Sequence, residues 1–121
     1  MIVAGFGFRE GATPASLRDA LARAGVGLSP PQALAAPADK APRLAPLARE
    51  LHIPLIPIAA AALQEVATPT SSAASLAARQ TGSVAEASAL AAAGPGARLL
   101  AGRHISSDRM ATCAIAQGVS T

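Results

Sequence analysis

Aromatic residues are almost missing from this sequence: its 121 residues include no Trp, no Tyr and only two Phe, Phe6 and Phe8. Grooves for single-stranded nucleic acid rely on aromatic platforms set among basic side chains, so that partner class is not expected. Cysteine is reduced to Cys113, which permits no internal disulfide and suits a reducing compartment. The two His, His52 and His104, lack a neighbouring His or Cys at ligand spacing, and no metal site is expected. Long apolar runs are missing too. The longest, Ile53 to Leu63, has 11 residues and two prolines, whereas a membrane helix needs roughly 20. The opening Met1 to Gly5 has neither the basic region nor the extended apolar core of a signal peptide. The expectation is a cytoplasmic protein with no membrane partner.

What is abundant is alanine. There are 33 Ala, and Leu, Ile, Val and Phe together number only 26, so large apolar side chains are scarce for a core. Low charge, 14%, and clear periodic segments argue that the chain folds nonetheless, as one domain spanning 1–121. Lys and Arg total 10 against 7 acidic residues, and nine of those bases are Arg. They are scattered, with no patch or stripe of the kind that tracks a nucleic-acid backbone. Dispersed guanidinium groups suit a small polyanion, because the fork of donors matches a carboxylate in a bidentate way.

Ile2 to Phe6 reads as a buried first strand running into glycines. Thr13 is placed to cap a helix that has Pro14 at its first position, Leu17 and Leu21 on one face, and Gly25 as its stop. Ser29-Pro30-Pro31 opens a short helix or a turn before the apolar segment Ala33 to Ala36. Pro42 to His52 is amphipathic at helical spacing, through Leu44, Leu47, Ala48 and Leu51. Leu55 to Ile58 reads as a strand, and Pro57 within it favours an edge because proline cannot donate to a ladder. Ala59 to Val66, Ser72 to Gln80 and Ser83 to Ala93 read as helices. In the last of these, Ser83 with Glu86 makes a capping box. Arg98 to Gly102 and Met110 to Ala116 read as a closing antiparallel strand pair. The pattern is α/β: a three-layer α/β/α sandwich around a mixed, mainly parallel sheet of about five strands.

The sharpest local feature is Gly5-Phe6-Gly7-Phe8-Arg9-Glu10-Gly11-Ala12-Thr13, read as a turn from a strand into a helix. Glycines let backbone approach a ligand, and a helix N-terminus offers unpaired N–H groups to an anion. A ligand-free tight turn explains the same residues. As a dinucleotide fingerprint the spacing G-x-G-x-x-x-G is a poor match, and Asp39 stands too far on to reach a ribose. Phe6 and Phe8 either support a flat ligand or anchor the turn in the core. Thr81-Gly82-Ser83 is a second glycine ahead of a capped helix, where capping alone accounts for Ser83 and Glu86. Cys113 reads as inert packing, His52 as a helix end, and Lys40, the one lysine, as a solvated side chain. No catalytic set emerges.

Taken in order along the chain, Gly5-Phe6-Gly7-Phe8-Arg9 with Gly11, Lys40-Ala41 before a helix ending at Pro54-Leu55, Thr81-Gly82-Ser83-Val84-Ala85-Glu86-Ala87, and Ala111-Thr112-Cys113-Ala114-Ile115-Ala116 resemble the family of CobE and the CbiG C-terminal domain. The resemblance spans nearly the whole chain. It implies a part in cobalamin (vitamin B12) biosynthesis, with a precorrin-type tetrapyrrole as ligand, other enzymes of the pathway as partners and no cofactor. It implies ligand-binding positions at Gly5, Gly7, Arg9, Gly11, Lys40, Gly82, Ser83 and Glu86. Corrin precursors carry many acetate and propionate carboxylates, which Arg side chains and helix N-termini can hold. The sequence departs from the family pattern where Pro42 and Arg43 follow the Lys, a place where relatives often carry an acid, and where Glu10 occupies a position often basic or small. Two readings follow from the resemblance: a CobE-type protein that binds or hands on a precursor, and a hydrolase component acting on a precorrin ring lactone, as in CbiG. The length of the chain favours the first.

Overall fold

A computed structural model describes residues 1–66 and 83–119. The expected helix over Ser72 to Gln80, and Gly82, lie outside the described residues. Strand β1 (Ile2–Phe8) leads into helix α1 (Pro14–Ala24), then strand β2 (Ala33–Pro37). A short 3-10 helix (Ala41–Leu44) runs into α2 (Ala45–Leu51), followed by strand β3 (Leu55–Ile58) and α3 (Ala60–Gln64). Helix α4 (Val84–Ala93) precedes a hairpin of β4 (Arg98–Ile105) and β5 (Ala111–Gln117).

The five strands lie in the order β3-β2-β1-β5-β4. β1, β2 and β3 pair in parallel, while β5 is antiparallel to both β1 and β4. The sheet is therefore mixed, and the closing hairpin does not simply extend it. β5 slots in beside β1, and β4 takes the outer edge. Burial explains the order: the interior of β5, Cys113 to Ala116, is fully buried, whereas β4 is exposed at both ends. A strand apolar on both faces needs cover on both faces.

At the other edge, the proline in β3 behaves as expected. The carbonyls of Pro54 and Ile58 accept from Leu34 and Ala38 on the β2 side, at 3.0 and 2.9 Å. Alternation along the strand then turns the nitrogen of Pro57 to the open side, where no ladder bond is lost.

Side chains alternate across the sheet and build two cores. On one face Ala4, Phe6, Leu34, Ala36 and Ile115 meet Leu17 and Ala20 of α1, Leu44 of the 3-10 helix and Leu47 of α2. On the other, Val3, Ala33, Ala35 and Ile58 meet Leu63 of α3 and Ala87 of α4. Helices thus cover both faces of an α/β sheet. Small residues shape the second layer: a Cβ on Gly5 would fall on the backbone of Ala85 and Ala89, so α4 rests directly on β1.

Two local expectations are corrected. The segment Pro42 to His52 is not one continuous helix but a 3-10 turn joined to α2. Pro46 has no N–H to give the Pro42 carbonyl, so the α-helical ladder cannot run through from Pro42. β1 also continues to Phe8, paired with β5 from Ile2↔Gln117 to Phe8↔Ala111. Gly5 and Gly7 are strand residues, and the loop proper is Arg9 to Thr13. Among the described residues no helix is long and apolar enough to cross a membrane.

Candidate functional site

The carboxyl ends of the parallel strands β1 and β2 bring the β1–α1 loop against the start of the 3-10 helix. At this edge the loop is held from below: Arg9 N–H donates to the Met110 carbonyl at 2.9 Å, and Ala12 N–H closes back on the Arg9 carbonyl at 3.0 Å. Thr13 then caps α1 through a reciprocal pair with Ser16, Ser16 N–H to Thr13 Oγ1 at 3.2 Å and Thr13 N–H to Ser16 Oγ at 3.1 Å. The loop leaves the Arg9 and Glu10 side chains in solvent.

Phe8, half-buried at the end of β1, is where the cations gather. Lys40 Nζ lies 5.4 Å from the ring centroid and Arg43 Cζ lies 5.5 Å from it. Both distances fall within cation–π range. Arg43 also donates to the Ala12 carbonyl at 2.7 Å, tying the 3-10 helix to the loop. Lys40 reaches Glu10 Oε1 at 3.4 Å. An acidic partner for the lysine thus comes from the loop. Phe6 is fully buried in the core, and Phe8, on the same face one pleat on, packs against that core half-buried at its rim.

Of the other expected residues, Gly5, Gly7, Ser83 and Glu86 lie on the opposite face of β1, toward α4. Gly5 is closed over by α4, and a Cβ on Gly7 would sit 3.3 Å from Cβ of Val84, the first residue of α4. Gly11 is exposed, with only the end of Met110 above it. Ser83 is buried and caps α4 by accepting the Glu86 N–H at 3.3 Å. Glu86 is fully buried, and its carboxylate accepts the Arg103 N–H at 3.0 Å. Only the Ser83 half of the expected capping box is found among the described residues, because that carboxylate turns to β4 instead. The structure therefore brings Arg9, Gly11 and Lys40 together at one edge, joined by Phe8, Glu10 and Arg43. Ser83 and Glu86 are built into the interior behind Gly7.

Sequence reasoning missed the clasp beneath the loop. Asp108, between β4 and β5, accepts from Ser106 Oγ and Ser16 Oγ, both at 2.5 Å, and from Met110 N–H at 3.1 Å. The Ser106 and Ser16 hydroxyls hold its carboxyl below the usual value. Asp19 of α1 accepts the Ser107 N–H at 2.7 Å and the Arg23 guanidinium at 3.0 Å, which lower its pKa in turn. The signal was present in Ser106-Ser107-Asp108, a polar turn whose partners lie some 90 positions away. Cys113 lies in the core and burial pushes its thiol pKa up, as fits a packing residue.

Residues 2–116 match the family described as Cobalamin synthesis G C-terminus. The chain belongs to that family. It is thereby one of the CobE- and CbiG-like proteins of cobalamin biosynthesis. No curated protein sequence matches it. Among solved structures it is similar to CobE, a protein from the cobalamin (vitamin B12) biosynthetic pathway, with 35% identity over 100% of this chain and 92% of that one, at a TM-score of 0.86. It is similar to the cobalamin biosynthesis protein chiG of Agrobacterium tumefaciens, 34% identical over 99% of this chain and all of that one, at a TM-score of 0.73. A cobalamin biosynthesis protein G homologue from Sulfolobus solfataricus shares the fold at 21% identity and a TM-score of 0.73, with 37% of its length matched.

Proposed function

We propose that this member of the family binds a precorrin-type tetrapyrrole at the carboxyl edge of β1 and β2 and hands it on to other enzymes of the pathway. The observation that carries this reading is the pairing of Lys40 and Arg43 over Phe8, beside the exposed Arg9. A flat ring rimmed by carboxylates calls for cations around its margin and for apolar surface near its face. This edge offers both. Arg9 takes one carboxylate in a charge-assisted contact, Lys40 and Arg43 take another, and Phe8 lies within reach of the ring system. The glycine at position 11 keeps the loop low enough for approach.

The test is a titration of the purified protein with a corrin-ring precursor, followed by absorbance. A saturable spectral shift reaching its end at one equivalent supports the reading. Steady conversion of the precursor by substoichiometric protein would instead support the lactone-hydrolase alternative. A contact to Arg9 contributes about 1.5–3 kcal/mol. Arg9→Ala is thus expected to weaken binding roughly 10- to 150-fold with little change in melting temperature. Unchanged affinity in a folded Arg9→Ala protein removes Arg9 from the site.

A further inference from the structure

The ion pair between Lys40 and Glu10 is lopsided. The Lys40 side chain keeps only 22% of its surface exposed, while that of Glu10 keeps 93%. The stem of Lys40 is packed and its ammonium is held near the Phe8 ring, so much of the cost of ordering and desolvating this cation is met by the fold itself. Glu10, by contrast, reaches the ammonium from solvent, on a loop residue next to Gly11, at a separation of 3.4 Å. A pair so open on one side is weak and readily exchanged.

We infer that Lys40, Arg43 and the Phe8 ring form a carboxylate subsite, and that Glu10 occupies it in the free protein as an internal stand-in for a carboxylate arm of the ligand. The inference rests on the polycarboxylate reading above and deepens it, since it names the group recognised and the residue that competes for it. Geometry supports the exchange. Glu10 stands on the exposed side of Lys40 and is not otherwise bonded through its side chain among the described residues, so it can swing out without disturbing the core. Arg43 remains in place through its bond to the Ala12 carbonyl. An incoming carboxylate therefore meets a formed subsite and displaces one exposed acid. The stand-in also selects: a neutral ring edge cannot repay the loss of the Glu10 contact, whereas a carboxylate can.

Removing the competitor should strengthen binding. With citrate as a simple polycarboxylate and uroporphyrin as a polycarboxylate tetrapyrrole, Glu10→Gln is expected to tighten both by about two- to fivefold. Glu50→Gln is the control for charge, because Glu50 pairs with Arg18 elsewhere on the surface; it should leave both affinities unchanged. In a Lys40→Met background, which keeps the packed stem, Glu10→Gln should have no effect. Equal or weaker binding by Glu10→Gln overturns the stand-in. An equal gain in the Lys40→Met background overturns it as well, since the effect would then be general charge. If citrate follows the expected pattern and uroporphyrin does not bind, the stand-in holds and the tetrapyrrole reading fails. If uroporphyrin binds and Glu10→Gln is without effect, the reverse is true. If neither probe binds, the subsite itself is overturned.

Discussion

At the scale of single residues, the glycines near the start of the chain serve two unlike purposes. Gly5 has no room for a side chain, because its missing Cβ is where the α4 backbone at Ala85 and Ala89 passes. Backbone cannot yield as a side-chain tip can. Gly5→Ala is therefore expected to destabilise the protein by about 2–3 kcal/mol in urea unfolding, at the upper end for an overpacked core. Gly11 meets only the terminal methyl of Met110, and Gly11→Ala should stay within about 0.5 kcal/mol of the parent. A G-x-G written in sequence hides this difference, since strand and loop glycines look alike until β5 is seen to pair as far as Phe8. The same holds for Phe6 and Phe8: alternation puts them on one face, but only the end of the helical cover decides that the first is core and the second rim. Cys113 was simpler to read, as it opens the apolar stretch Cys113 to Ala116 of a strand. Its thiol should resist Ellman's reagent in the native protein at pH 8 and react fully once unfolded. Rapid reaction in the native state would show that the sheet opens there.

At the scale of elements, punctuation residues were good guides wherever their effect is local. Thr13, Pro14 and Gly25 delimit α1, Ser83 starts α4, and Pro57 marks β3 as an edge strand. Pro46 was the exception, because hydrophobic spacing carried the expected helix across a position whose missing N–H divides it. What a linear reading could not supply is the contact between elements distant in sequence, and the clasp of the β4–β5 turn onto α1 is the main case. Asp108 and Asp19 are both stabilised in their ionised forms by hydrogen-bond donors. Their folded pKa values lie below those of the unfolded chain, so their contribution is present above the unfolded carboxylate pKa and disappears as pH falls through the folded one. Asp108→Asn should accordingly lower the melting temperature at neutral pH. The gap between mutant and parent should close as pH is taken below the ordinary carboxylate range. A gap that persists in acid would mean that shape and packing at the turn, rather than the ionised carboxylate, hold α1.

At the scale of the whole molecule, a chain poor in large apolar residues folds by bringing its layers close together. Alanine and glycine at the α4–β1 contact let helix backbone rest on strand backbone, so a sheet of five strands is enclosed with only two Phe in the chain. Stability then comes from an apolar interior that salt hardly touches, whereas the proposed ligand contacts are ionic and lie at the surface. The two should respond differently to ionic strength. Arg9, Lys40 and Arg43 share one edge of a molecule with net charge +3, and a polycarboxylate approaching that edge is drawn by charges that salt screens within about 10 Å at 0.1 M. Raising salt from about 0.05 to 0.5 M should weaken uroporphyrin binding by on the order of tenfold, mostly through slower association. Over the same range the urea midpoint of the free protein should move little, since apart from the Asp108 and Asp19 clasp its contacts are chiefly apolar. Binding that ignores salt would shift the weight from the cations to apolar contact of the ring with Phe8. In that event Phe8→Ala, rather than Arg9→Ala, would be the substitution that abolishes it.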